Sequence, residues 1–202
     1  MALPFDTLVV ATHNAGKLAE MRAMLAPLGL TVTSAGEAGL PEPDETADTF
    51  AGNAAIKAEA ARDATGLPAL ADDSGLCVDA LDGAPGIHSA RWGGADRDFD
   101  RAMDRVLSGI EGKPRGAAFV AVFALSVPGE ETRYFEGRCE GTIAPRQRGT
   151  MGHGYDPIFV PSDGDGRTFA EMTRDEKQGG ARPLSHRARA MEAFLAALKD
   201  AG

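Results

Sequence analysis

The stretch from Thr7 to Leu28, TLVVATHNAGKLAEMRAMLAPL, runs from an apolar segment through a polar loop into an amphipathic segment. The run LVVAT predicts a buried strand, and apolar residues at helical spacing predict a helix over about residues 15–26. Asn14 is the expected N-cap, and Pro27 with Gly29 is the expected end. A sharp turn from strand to helix is also where nucleotide-binding proteins hold phosphates.

The rest of the chain alternates strands with helices and has a hairpin in its middle, which predicts an α/β protein with a mixed sheet. No internal repeat or linker interrupts it, so we expect a single domain over residues 1–202. The further predicted elements are a strand at 30–34, a helix at 47–65, a strand that breaks at Asp72 and Asp73, a helix at 97–110, a hairpin turning at Pro128-Gly129, a short helix capped by Thr173 and Glu176, and a last helix capped by Ser185.

Composition narrows the class of protein. Hydrophobic residues make up 43% of the chain, enough for a core, yet no run approaches the length of a membrane span. The start, MALPFD, does not resemble a secretion signal. Cys77 and Cys139 lack the spacing of a metal site or a disulfide scaffold. We therefore expect reduced thiols, a cytoplasmic location and no membrane partner.

The charge balance is acidic, with a net charge of -9 and a pI near 4.9. Such a chain has no electrostatic footprint for DNA or RNA, so no nucleic-acid partner is expected. An anionic substrate would have to meet locally placed cations or a bound metal.

The loop THNAGK offers backbone N–H groups at a helix start, and Lys17 adds a mobile cation. Together these groups suit a phosphate. The alternative is that Asn14 is only a cap and Lys17 is solvated. The loop does not match GxxxxGK[ST], which excludes a P-loop.

The helix predicted over residues 47–65 carries Thr49, Asn53 and Lys57 at intervals of four residues. Polar stripes of this kind usually face water, and that interpretation is favoured from the residues alone. The preceding acidic loop, with Glu42, Asp44 and Glu45, can equally be a solvated surface.

The segment ADDSG is more informative, because two adjacent aspartates close an apolar strand and Gly75 permits a sharp turn. Carboxylates suit Mg²⁺, which also binds substrate phosphates. A water held there is a nucleophile for phosphoryl chemistry. The alternative, an Asx-turn, explains one aspartate more readily than two.

Late in the chain, GHGYDP places aromatic groups between glycines, as a wall for a nucleobase requires. Lys177 and the pair His186-Arg187 are expected at helix starts. Arginine offers a fork of donors that can read a carbonyl or phosphate oxygen. Each of these residues alone is more often structural or solvated.

Six motifs follow one another over residues 12–187: ATHNAGK, ETADTFAGNAAIKA, ADDSGLCVDAL, GAPGIHSARW, GYDPIF, and EKQ followed by SHR. In this order they resemble the inosine triphosphate pyrophosphatase family, also called Ham1-like or dITP/XTP pyrophosphatases. The resemblance implies an enzyme that hydrolyses noncanonical purine nucleoside triphosphates (dITP, ITP and XTP) to the monophosphate and pyrophosphate, with Mg²⁺. It also implies a homodimer and an elongated mixed sheet flanked by helices, in two lobes with a cleft between them.

The resemblance further implies roles for individual residues. Glu45 and Asp73 correspond to metal-site carboxylates, with Asp73 also the proton acceptor, Asp72 supporting it, and Lys57 reaching the phosphates. The triphosphate would lie on Thr12, His13, Asn14, Ala15, Gly16 and Lys17, and the rest of the nucleotide on Ser74, His153, Gly154, Tyr155, Asp156, Lys177, His186 and Arg187.

One position departs from the family pattern. His153 stands where many relatives have phenylalanine, and an imidazole presents less apolar area for stacking and can be charged.

Two other interpretations compete with the family resemblance. GYDP and SHR argue against a Maf-like nucleotide pyrophosphatase. The paired aspartates argue against a module that senses nucleotides without turnover.

Overall fold

The computed structural model describes residues 5–179 and 183–200. Strands and helices alternate at first and are followed by a pair of long strands, as predicted. The strands are β1 (Thr7–Val10), β2 (Thr31–Ser34), β3 (Ala69–Val78), β4 (Gly116–Ser126), β5 (Arg133–Ile143) and β6 (Phe159–Pro161); the helices are α1 (Ala15–Leu25), α2 (Phe50–Thr65), α3 (Phe99–Gly109), α4 (Arg174–Gln178) and α5 (His186–Asp200).

The strands form one six-stranded sheet in the order β2-β1-β3-β4-β5-β6. β1 pairs in parallel with β2, from Thr7 opposite Thr31 to Val10 opposite Ser34, and in parallel with β3. β5 pairs antiparallel with β6. Parallel neighbours need a crossover, and α1 and α2 supply it for the first three strands. The prediction of an α/β fold with a mixed sheet is confirmed.

Capping residues set where the first two helices begin. Asn14 caps α1 by accepting hydrogen bonds from the backbone N–H groups of Gly16 and Lys17, as predicted. Thr49 caps α2 by accepting from Gly52 N–H at 3.0 Å. α2 begins at Phe50, directly after this cap and three residues later than predicted.

The caps predicted for the last two helices are confirmed. At α4, Thr173 and Glu176 form a capping box, in which each side chain accepts from the backbone N–H of the other residue. At α5, the hydroxyl of Ser185 accepts from Ala188 N–H at 3.2 Å.

β3 does not break at the paired aspartates, which corrects the sequence prediction. The strand runs through Asp72 and Asp73 to Val78, and Gly75 lies in its interior. A Cβ at Gly75 would collide with the carbonyl oxygen of Gly86 and the hydroxyl of Ser89. Glycine is needed here because another backbone segment approaches closely, not because the chain turns.

The chain divides into two compact units, each with its own apolar core. Unit 1 comprises Met1–Asp73, Val122–Glu136 and Met191–Gly202, and unit 2 comprises Ser74–Ala121 and Gly137–Ala190. The core of unit 1 contains Val9, Ala11, Ala54, Ala58, Ala61, Ala69, Ala71 and Ala124. The core of unit 2 contains Leu76, Val78, Met103, Val106, Ile110, Phe119, Ile143, Tyr155, Phe159 and Phe169, among others.

Neither unit is a continuous piece of chain, since β3, β4 and β5 each contribute residues to both. The single domain over residues 1–202 stays a prediction, as does the cleft between two lobes. Within the described part of the chain, no helix has the length and apolar character needed to cross a membrane.

Candidate active site

In unit 1, Lys17 contacts one of the paired aspartates. Its Nζ atom donates to both carboxylate oxygens of Asp72, at 3.2 and 3.0 Å. Lys17 lies in the first turn of α1, and Asp72 is buried in β3. The ammonium group of Lys17 is therefore held at the sheet rather than extended into water.

A second lysine contacts the other aspartate. The Nζ atom of Lys57 donates to Glu45 at 2.8 Å and lies 3.8 Å from Asp73. Asn53, one turn earlier on α2, donates from Nδ2 to Asp73 at 3.3 Å and accepts from Ala47 N–H at 3.0 Å. Helix α2 thus holds Asp73 with two side chains at i and i+4.

This arrangement overturns the interpretation of the polar stripe on α2 as a solvated face. Asn53 is 1% exposed and Lys57 is 9% exposed, while Thr49 caps the helix. Asn53 and Lys57 face Asp73 of β3 instead of water. Asn53 was not expected to belong to the site, although its spacing of four residues from Lys57 was the available signal.

The three carboxylates outnumber the two ammonium groups in this cluster. Burial raises the pKa of Asp73, and the nearby Lys57 only partly opposes it. Burial lowers the pKa of Lys57, but attraction to Asp72, Asp73 and Glu45 outweighs it, so the net shift is upward. The lysine therefore keeps its charge, and Asp73 binds a proton more tightly than an ordinary aspartate does.

Among the acidic residues of the loop before α2, Glu45 is half-buried and contacts Lys57, whereas Glu42 and Asp44 are exposed. Glu42 and Lys57 both border a small, largely apolar cavity of about 120 Å³ in unit 1. The direct contact favours Glu45 as the carboxylate that acts together with Asp73.

In the loop before α1, backbone N–H groups that could bind a phosphate already donate hydrogen bonds to neighbouring side chains. Asn14 already occupies the N–H groups of Gly16 and Lys17, and the hydroxyl of Thr12 accepts from Asn14 N–H at 3.2 Å. The Nε2 atom of His13 lies 2.7 Å from the carbonyl oxygen of Leu40, which can only accept, so Nε2 carries the proton. A phosphate at this helix start would share donors with Asn14; Ala15, the first residue of α1, is exposed.

In unit 2, the HGYD segment places its two rings differently. Tyr155 is 2% exposed, packs edge-on against Phe99, and donates its hydroxyl proton to the carbonyl oxygen of Ser89 at 2.8 Å. His153 is exposed, and Gly154 after it has a positive φ of 66°. Of these two rings, only His153 offers its surface to a ligand.

Asp156 and Lys177 form a partly buried ion pair, with Nζ 3.1 Å from Oδ2. The same oxygen of Asp156 accepts from His153 N–H at 3.3 Å. The carbonyl of Lys177 accepts from the N–H groups of Leu184 and Ser185, which precede α5. Lys177 lies in the last turn of α4, not at a helix start as predicted.

His186 and Arg187 open α5, as predicted, and both are at most 9% exposed. The ring of His186 stacks on Phe119 with centroids 4.8 Å apart. The Nη2 atom of Arg187 donates to the hydroxyl of Ser74 at 3.1 Å.

The structure therefore gathers the predicted residues into two groups. The first, in unit 1, holds the charged cluster and the loop before α1; the second, in unit 2, holds the HGYD segment, Lys177, Ser74 and the start of α5. Asp73 of the first group and Ser74 of the second are consecutive residues of β3. The roles assigned to individual residues stay predictions.

Fold and site define the class: an α/β protein with a mixed sheet and a partly buried cluster of lysines and carboxylates. Residues 8–197 match the model of the Ham1 family. The chain is 55% identical to the dITP/XTP pyrophosphatase of Gluconobacter oxydans, covering 95% of this chain and 90% of the relative. It is 52% identical to the enzyme of the same name from Brucella melitensis, covering 93% and 90%.

A solved structure agrees with these sequence comparisons. A HAM1 protein from Coxiella burnetii superposes with a TM-score of 0.88 at 40% identity, covering 97% of this chain and all of that one. The chain belongs to the Ham1 family.

Proposed function

We propose that this protein is a Mg²⁺-dependent pyrophosphatase that hydrolyses noncanonical purine nucleoside triphosphates (dITP, ITP and XTP) to the monophosphate and pyrophosphate. The observation that carries the proposal is the contact of the buried Lys57 with both Glu45 and Asp73. It supplies a base and a cation in one place. The names of the relatives, dITP/XTP pyrophosphatase, support the choice of substrate.

The donor set fits a divalent cation. Asp73 and Glu45 both lie beside Lys57 and supply hard oxygen atoms as ligands. The cluster also carries excess negative charge. The described residues contain no group of three or more His, Cys, Asp or Glu side chains suited to a metal. Mg²⁺ commonly uses one or two carboxylates and completes its shell with water and substrate phosphates. When bound, it would neutralise charge on the phosphate oxygens.

The residues of the chain then have separate roles in the reaction. Asp73, whose pKa is raised by burial, takes a proton from the attacking water. Lys57 and Lys17 offset negative charge as the bond between the α- and β-phosphates breaks. Asn53 holds the Asp73 carboxylate in place through its amide. The acidic chain thus meets an anionic substrate with local positive charge.

In unit 2, Arg187 is proposed to recognise the purine. Its guanidinium can only donate, so it pairs with a carbonyl at position six of hypoxanthine or xanthine but not with the amino group of adenine. The hydrogen bond from Arg187 to Ser74 supports a fixed direction for this fork of donors. His153, His186 and Lys177 are proposed to contact the rest of the nucleotide.

The assembly and the location are part of the same proposal. A homodimer is inferred from the family resemblance, and a cytoplasmic location from Cys77 and Cys139, which are not joined in a disulfide and are compatible with a reducing compartment. Light scattering during size-exclusion chromatography tests the dimer, since one chain has a mass of 21.0 kDa. A peak at the mass of one chain would contradict it. The net charge of -9 supports the absence of a nucleic-acid partner.

The activity is tested by measuring pyrophosphate release from dITP, ITP, XTP, dATP and dGTP, each with Mg²⁺ and with EDTA. We expect turnover of the first three substrates, little turnover of the last two, and loss of all turnover in EDTA. Equal rates on dATP, dGTP and dITP would contradict the substrate class. Full activity in EDTA would contradict the metal requirement.

A further inference from the structure

Phe119, a residue of β4 outside every motif discussed above, lies flat against His186. The two rings are nearly parallel, at an interplanar angle of 12°, with centroids 4.8 Å apart. The stacked ring of Phe169 is also nearly parallel to Phe119, at 13° and 6.0 Å. Phe119 is thus stacked with both His186 and Phe169.

The position of Phe119 is itself well fixed. It is 6% exposed in the core of unit 2, and Phe159 meets its ring at 60° with centroids 4.6 Å apart. β4 has a neighbouring strand on each side in the sheet. A ring held by a sheet strand and two other rings is a rigid surface.

A flat surface of this kind restricts the orientation of the His186 ring. The second side-chain torsion of histidine joins an sp³ to an sp² atom, and its energy profile is broad. The rotamer alone therefore does not set the plane of the imidazole. An imidazole donates or accepts hydrogen bonds in the plane of its ring, so whatever fixes the plane of His186 also fixes the directions in which it can form them.

We propose that Phe119 is a positioning residue, which sets the plane of the His186 imidazole and through it the affinity for the purine nucleotide. The proposal rests on the proposed function, in which His186 contacts the nucleotide. Phe119 itself contacts neither substrate nor metal and acts through His186.

The first test compares Phe119→Leu with Phe135→Leu. Each variant removes one buried ring from an aromatic pair, but Phe135 pairs with Phe194 and belongs to unit 1, outside the ring cluster that holds Phe119, so it serves as the matched control. We expect Phe119→Leu to raise KM for dITP about fivefold, the size of a lost aromatic pair, with kcat within about twofold. Phe135→Leu should lower thermal stability similarly and leave KM unchanged. Equal KM values in the two variants would overturn the proposal.

A double-mutant cycle separates positioning from general loosening of the core. If Phe119 acts through His186, then Phe119→Leu should have no further effect on KM once His186→Ala is present. Multiplication of the two single effects in the double variant would overturn the proposal. Phe119→Tyr, which keeps a flat ring, should retain a KM near that of the unmodified protein.

An NMR measurement needs neither a variant nor catalysis. Stacking on Phe119 should shift the ring protons of His186 upfield relative to those of the exposed His13 and His153. Absence of that shift in the unmodified protein would overturn the proposal. If dITP is not hydrolysed but the shift is present, the proposed function fails while the ring geometry stands. If dITP is hydrolysed and the shift is absent, only the positioning role fails.

Discussion

At the scale of single residues, Asp73 combines a structural cost with a chemical use. Burial raises its pKa, which means that the fold disfavours its charged form, yet the charged form is the one that accepts a proton from water. Asp73→Asn should therefore lower kcat by a factor on the order of 10²–10⁴ while nucleotide binding remains measurable. Steady-state kinetics with dITP and a binding titration check both parts. A variant that keeps more than about a tenth of kcat would rule out the assigned role.

The same substitution has an expected sign for stability in metal-free protein. A raised pKa in the folded state contributes stability below the unfolded pKa of about 3.9, and that stability is lost as pH rises through the folded pKa. Asp73→Asn should thus be at least as stable as the unmodified protein at neutral pH, and the difference should vanish in acid.

Glu37, whose pKa is lowered by its hydrogen bond to Arg22, is the opposite case. Glu37→Gln should cost stability at neutral pH, and thermal melts across pH check both signs.

Arg187 and Lys17 should separate base recognition from phosphate binding. Arg187→Ala should reduce kcat/KM for dITP and XTP far more than for dATP, because only the first two offer a carbonyl at position six. Lys17→Ala is the matched control and should lower kcat/KM for all three substrates by a similar factor. Equal proportional losses with Arg187→Ala would assign this arginine to the phosphates or to folding.

At the scale of elements, β3 depends on glycine at one interior position. In Gly75→Ala the new methyl group would overlap the carbonyl oxygen of Gly86 and the Ser89 hydroxyl, and the latter also accepts from Leu76 N–H at 2.9 Å. We expect a loss of about 1–3 kcal/mol in the free energy of unfolding, measured by denaturant titration.

The control for this prediction lies at the end of α3. In Gly109→Ala the methyl group approaches only the flexible side chain of Leu81, at 3.1 Å, and alanine favours the helix. This variant should be neutral or stabilising by about 0.5–1 kcal/mol. If Gly75→Ala proves as harmless as the control, β3 does not approach Gly86 as closely as described.

At the scale of the whole molecule, the two units should unfold together, because β3, β4 and β5 each run through both. Trp92, the single tryptophan, reports on unit 2, whereas far-ultraviolet circular dichroism reports on the helices of both. The two signals should give one coincident transition in urea. A separate tryptophan transition would show that unit 2 unfolds independently, against the prediction of a single domain.

The sequence by itself determined the features that depend on neighbouring residues. The cap at Asn14, the capping box of Thr173 and Glu176, and the presence of the helix α3 were all predicted correctly, because each depends on residues close together in the sequence. The ordered motifs also identified the family, since together they span nearly the whole chain.

Only the tertiary structure shows which residues pack against each face of a helix or strand. Periodicity shows that Asn53 and Lys57 share one side of α2, but not that this side meets Asp73, whose position comes from a different element. The local sequence of β3 likewise suggested a turn at Gly75, because the approach of Gly86 is invisible there. The contact of Phe119 with His186 joins residues far apart in the chain. Such contacts arise from packing of the folded chain, and local sequence patterns do not predict them.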